Sequence, residues 1–158
     1  MNIETEKKFL VKDDGYKAQA VKSYEIRQGY IAHDSGRSVR VRIRDGQGIL
    51  TVKGPHLSET SRPEWEKELS LQEAEELFGL CKPGTVEKTR WVVPAGDRFF
   101  EVDEFHGENE GLVLAEIELG GEDESFERPS WLGTEVTGDK RYYNSHLARN
   151  PFKYWSLL

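Results

Sequence analysis

The residues able to do chemistry sit at alternate positions, and most sets carry one sign of charge. Glu4-x-Glu6, Glu64-x-Glu66-x-Glu68, Glu101-x-Asp103 and Glu116-x-Glu118 are carboxylates, whereas Arg40-x-Arg42-x-Arg44 and Lys88-x-Arg90 are cations. Lys8 and Lys53 continue the phase of Glu4-x-Glu6 and of Thr51. Side chains two apart on a strand share a face. Like charges are therefore held side by side, which costs free energy unless something neutralises them. A divalent cation does this for carboxylates, and a polyanion does it for Arg and Lys. The intervening positions are apolar: Val39, Val41 and Ile43 among the arginines, Trp65, Val102 and Ile117 among the acids. A sheet showing a charged face to water explains one or two such strands. Seven strands segregated by sign point to a ligand.

These faces must be positioned by strands. Strand-like runs span Ile3–Val11, Tyr24–Ile31, Ser38–Arg44, Gly48–Lys53, Glu64–Ser70, Val86–Val93, Arg98–Phe105 and Leu112–Leu119. DSGR, DGQG, GPHLSETSRP and PAGD supply turn residues between them. Helical spacing predicts helices over Leu71–Cys81 and Asp139–Arg149, with a weaker one over Gly15–Lys22. The expected fold is mainly β, an eight-stranded antiparallel β-barrel with a few peripheral helices. Such a barrel has room inside for side chains or one small ligand. With the charged faces inward, the apolar positions point outward and need cover from the helices. The lumen then holds Glu4, Glu6, Glu64, Glu66, Glu101, Asp103, Glu116 and Glu118 against Lys8, Arg40, Arg42, Lys53, Lys88 and Arg90. Burying these ions dry costs several kcal/mol each, so the lumen must be wet, metal-loaded or both.

A chain of 158 residues without linkers or repeats reads as one domain over 1–158. Its net charge of −7 argues against a general nucleic-acid or anionic-membrane surface, leaving room for a local basic site. No segment has the apolar run of a signal peptide or membrane span, so a cytoplasmic location is expected. The single cysteine, Cys81, suits a reducing compartment and reads as a packed thiol at a helix end. His33, His56, His106 and His146 show no metal-ligand spacing, and neither a P-loop nor a G-x-S-x-G elbow is present. The aromatic tail Pro151–Trp155 reads as packing.

In order along the chain, Glu4-x-Glu6-x-Lys8, Arg40-x-Arg42, Lys53, Glu64-x-Glu66, Lys88-x-Arg90, Glu101-x-Asp103, Glu116-x-Glu118 and Thr137-Gly138-Asp139-Lys140-Arg141-Tyr142 resemble the CYTH proteins, also known as triphosphate tunnel metalloenzymes. The resemblance covers residues 3 to about 147. It implies an eight-stranded tunnel that hydrolyses or cyclises linear triphosphates with Mg2+ or Mn2+. It assigns Glu4, Glu6 and Glu118 to the first metal, with Glu116, Glu64 and Glu101 as further ligands. Lys8, Arg40, Arg42 and Lys53 become the phosphate clamp, and Lys140 a further contact. Lys88 and Arg90 fall near the hydrolysed end, and Glu66 with Asp103 would organise the attacking water. Several of these acids have the alternative role of holding an Arg or Lys in place. The expected activity is hydrolysis of inorganic tripolyphosphate; the rivals are a thiamine triphosphatase, a class IV adenylyl cyclase and a binding module without turnover. The carboxylates argue against the last, because a pure anion receptor gains by losing them. The expected partner is a small-molecule triphosphate, with no nucleic acid or membrane, bound by a monomer or homodimer.

Overall fold

The computed structural model describes residues 2–157. Alternating residues build β1 (Asn2–Val11), β2 (Lys22–Asp34), β3 (Arg37–Arg44), β4 (Gln47–Lys53), β5 (Ser61–Leu69), β6 (Val86–Ala95), β7 (Arg98–Phe105), β8 (Val113–Glu118) and a short β9 (Leu132–Glu135). Ser35-Gly36 and Asp45-Gly46 turn β2 into β3 and β3 into β4 with φ values of 49°, 79°, 47° and 82°. Two successive positive φ angles give the hairpin turn whose twist matches antiparallel strands. The strands run in the order β5-β4-β3-β2-β6-β7-β8-β1, and antiparallel β1–β5 pairing closes the ring. The fold is mainly β, an eight-stranded antiparallel barrel. β9 is an addition on β1, through Phe9↔Glu135 and Val11↔Leu132. Four residues, LGTE, are too few to show alternation, so the sequence did not reveal it.

The helices differ from expectation at their ends. α1 is a single turn, Tyr16–Gln19. α2 (Leu71–Phe78) opens on a reciprocal Ser70–Glu73 cap and stops at Gly79, short of Cys81. The segment Asp139–Arg149 is a 3-10 turn, Lys140–Tyr142, then α3 (Asn144–Arg149); extended Tyr143 divides them.

Apolar cover is uneven. Phe9, Phe100, Val102, Ala115 and Ile117, on the outer wall, pack under Tyr16, Trp131 and Leu132. On the other side the expected helical cover is partial: α2 packs on β2 and β3, where Val41 is buried, but reaches β4 near Gly48, and Trp65 stays 45% exposed and Val52 37%. A second cluster, Val86, Phe105 and Leu114 with Tyr142 and Leu147, shares the strand phase of Lys88, Asp103 and Glu116. The inward phase thus turns apolar at one end, and α3 plugs it. Gly84, at φ 104°, makes this possible, since a Cβ there would lie 1.9 Å from the Ala148 carbonyl oxygen. Six residues are too few for an independent helix. Burying Leu147 and its partners, at about 1.5–3 kcal/mol per large apolar side chain, holds α3 in place.

Candidate active site

Register decides which charges meet. Partners directly opposite share a face, and four such pairs in the lumen are complementary: Arg90↔Asp103, Lys8↔Glu116, Lys53↔Glu64 and Glu4↔Arg62. Two are like-charged: Glu6↔Glu118 and Glu101↔Glu116. The β3 arginines stand opposite neutral residues, Arg40 between Tyr30 and Thr51, Arg42 between Gln28 and Ile49.

The lumen brings together Glu4, Glu6, Lys8, Arg40, Lys53, Lys88, Arg90 and Glu116. Arg42 is buried, and its Nε, like that of Arg40, has no hydrogen-bond partner. Among the described residues, no carboxylate lies within ion-pair distance of either arginine. Arg40 makes only a long contact of 3.4 Å to the Thr51 hydroxyl. Burial, with Arg40 and Arg90 nearby, lowers Arg42 to about 9, a value at which the guanidinium still carries its charge at neutral pH.

The β6 cations are matched instead. Lys88 donates to Asp103 Oδ2 at 2.8 Å. Arg90 spans both Asp103 oxygens at 2.8 and 3.0 Å and reaches Glu101 at 3.2 Å. Burial would raise Asp103, but Arg90 and Lys88 hold it below the usual carboxylate range. Burial outweighs the pull of Asp103 on Lys88, lowering it to about 8.

Among the acids, Lys53 Nζ sits 2.9 Å from Glu4 and 3.4 Å from Glu64, and Lys8 sits 3.5 Å from Glu116. Glu6 has no ion pair among the described residues. Burial, then the charges of Glu116 and Glu4, raise it well above its ordinary value. Glu116 moves the other way: Lys8 and Arg90 overcome its burial. Glu64 is pushed up to about 7, by burial and by its hydrogen bond to Glu4.

The remaining expected residues are dispersed. Glu66 is exposed and accepts from the Thr51 hydroxyl at 3.0 Å. Glu101 and Glu118 line the opposite opening with Tyr24 and Arg44. Lys140 lies in a side pocket beside α3. The lumen also contains Tyr30, Ser38, Arg62, Tyr143 and Asn144, which the sequence reading did not single out. Of these only Arg62 carried a signal, being in phase with Glu64; the others are neutral and isolated.

Among the described residues, no three carboxylate, histidine or cysteine side chains close around one point. The donor set nevertheless fits a divalent cation. Glu6 is a half-buried carboxylate opposite Glu118 and without a cation among the described residues, and all the donors are the oxygens that hard metals prefer. Lys53 and Lys8 neutralise Glu4 and Glu116 in this state.

The closed antiparallel tunnel thus holds two arginines without a carboxylate partner and a carboxylate, Glu6, without a cation among the described residues, a donor and acceptor set suited to an anion together with a cation. Residues 2–145 match the CYTH domain, and the chain belongs to that family, which implies a divalent metal. It is 50% identical over 97% of both chains to a protein of Acetivibrio thermocellus named inorganic triphosphatase. A protein of Nitrosomonas europaea with the same name is 37% identical, over 92% of this chain and 96% of its own. A crystal structure of an inorganic triphosphatase superposes with a TM-score of 0.64 at 36% identity, covering 92% of this chain and 97% of that one.

Proposed function

We propose that this chain hydrolyses a linear triphosphate, inorganic tripolyphosphate, to pyrophosphate and phosphate inside the tunnel. The observation that carries this reading is the pair Arg40, half-buried, and Arg42, buried, neither with a carboxylate partner among the described residues; Arg40 lines the same lumen as Glu6, which lacks a cation. Two guanidinium groups whose buried Nε–H donors have no acceptor and whose charge no carboxylate balances are a cost that an anion with several oxygens removes. Lys53 and Lys8 line the same cavity and are free to turn from carboxylate to phosphate when a metal takes their place. Glu4, Glu6 and Glu118 would hold Mg2+ or Mn2+, with Glu116, Glu64 and Glu101 available around them. Such an ion supplies charge neutralisation and a more acidic water. Lys88 and Arg90 stabilise charge developing on the phosphoryl oxygens. Asp103, with both oxygens engaged, acts by holding those two cations. Glu66, exposed beside Thr51, remains available to orient water, and Lys140 to meet a phosphate at the mouth. The names borne by the relatives at 50% and 37% identity support this substrate. The cyclase and thiamine readings lack a stacking surface from Trp65 or Trp91: Trp65 is exposed and Trp91 packs on Tyr16, both in the outward phase.

The test is a phosphate-release panel of tripolyphosphate, ATP, thiamine triphosphate and pyrophosphate, each with Mg2+ and Mn2+, with an assay for cyclic AMP. Tripolyphosphate should give the highest kcat/KM. Binding of tripolyphosphate without phosphate release under either metal would replace the enzyme by a binding module.

A further inference from the structure

We infer that Asn144, held by Gln28, is a positioning residue that aims the Lys88 ammonium group at the phosphate in the tunnel; this rests on the function proposed above. An ammonium group has three donors on a tetrahedral nitrogen. One goes to Asp103 Oδ2 at 2.8 Å and one to Asn144 Oδ1 at 2.9 Å. Lys88 lines the lumen, so the third is the donor left to meet an anion there. With Asp103 alone, the group turns about that contact; two fixed bonds set the direction of the third.

The Asn144 amide is itself fixed. Gln28 Nε2 donates to the same Oδ1 at 2.9 Å, and Gln28 is completely buried, so water does not compete. A flipped amide would point its NH2 at two other donors, Gln28 and Lys88, leaving three donors without an acceptor. The Gln28 Oε1 has no partner, so this one bond is what offsets the burial of its amide. Asn144 is also neutral. It supplies an acceptor to Lys88 without a negative charge facing triphosphate, which an aspartate would add.

The placement depends on the plug. Asn144 is the first residue of α3, which is anchored by Leu147 and by the close approach of Ala148 to Gly84. The two preceding residues hold another lumen lysine: Lys8 Nζ donates to the Tyr142 carbonyl at 3.1 Å and lies 5.4 Å from the centre of the Tyr143 ring. The α3 entrance thus orients cations on two strands.

The experiment is a double-mutant cycle in the full chain, with tripolyphosphate and saturating Mg2+. Asn144→Ala should lower kcat roughly 10-fold with KM changed less than about 2-fold, and in the Lys88→Ala background it should cost less than about 2-fold. Equal losses in both backgrounds would overturn the inference, because general damage to the plug adds independently of Lys88. Gln28→Met, which keeps the volume and removes the donor, should give a smaller loss with the same dependence on Lys88. A second readout needs no turnover: the Lys88 ammonium signal in 15N-resolved NMR, sharp when its protons exchange slowly, should broaden in Asn144→Ala. A signal that stays sharp contradicts the anchoring. A wild-type chain without triphosphatase activity would overturn the proposed function alone, with the NMR comparison still deciding the role of Asn144.

Discussion

β3 and β6 each present two cations, two residues apart, to the same tunnel, yet their surroundings are opposite. On β6, Lys88 and Arg90 share Asp103, and Arg90 also reaches Glu101. On β3, Arg40 and Arg42 stand opposite neutral residues, with both Nε atoms unpartnered. The same composition therefore yields two devices. The β6 cations are neutralised within the fold and rigidly placed, as suits a group that stabilises transition-state charge without reorganising. The β3 cations are not neutralised within the fold, and on the proposed function they keep their charge for an external anion, as suits ground-state binding. The acids divide likewise, Asp103 paired within the fold and Glu6 without a counter-charge among the described residues.

The largest effect should follow from breaking the matched side. Asp103→Asn leaves two buried cations short of their counter-charge, and removal of one member of such a pair costs about 3–5 kcal/mol. Chemical denaturation should show this loss; a change under about 1 kcal/mol would make Asp103 a chemical group with no structural duty. Next is the unmatched acid. Chelation with EDTA, or Glu6→Gln, should lower turnover at least ~100-fold, in keeping with several kcal/mol of metal-derived stabilisation. Glu6→Gln breaks no ion pair, so its melting temperature in metal-free buffer should equal or exceed that of the wild type. Full turnover without metal would remove the proposed role of Glu4, Glu6 and Glu118.

Arg42→Ala sharpens the contrast on the basic side. It should raise KM for tripolyphosphate roughly 10- to 150-fold, one charge-assisted contact being worth about 1.5–3 kcal/mol, and leave stability unchanged or higher. Lys88→Ala should instead fall mainly on kcat. If it shifted KM alone, Lys88 would join the clamp.

The smallest effect concerns pH. Glu6 and Glu64 have folded values raised above their unfolded ones, Glu64 to about 7. Their contribution to stability is fully present below the unfolded value near 4.5 and is lost as pH rises through the folded value. Metal-free protein should thus lose on the order of 1 kcal/mol between pH 5 and 7.5, and saturating Mg2+ should flatten this slope. Glu4, Asp103 and Glu116 are lowered, so their contribution disappears only on acidification below that window.

Alternation made the barrel and most of its inward charges legible in the sequence, because a period of two survives any register. The register itself was not legible. Whether Arg90 meets Asp103 or Arg40 meets Thr51 depends on the offset between strands, and that offset separates matched from unmatched cations. Gln28 and Asn144 escaped notice for another reason: they are neutral, 116 residues apart, and joined only when α3 docks. The apolar plug was hidden because Leu114 and Phe105 continue the phase of Glu116 and Asp103, and so look like part of the lumen.

The central claim, that β3 binds the anion while β6 is satisfied by the fold, is tested most directly by a crystal structure of Glu6→Gln with tripolyphosphate and Mn2+. Phosphate oxygens should lie within hydrogen-bond distance of both Arg40 and Arg42, while the Arg90–Asp103 and Lys88–Asp103 contacts persist. Phosphates that displace Asp103 from Lys88 and Arg90, with Arg40 and Arg42 still unpartnered, would contradict it.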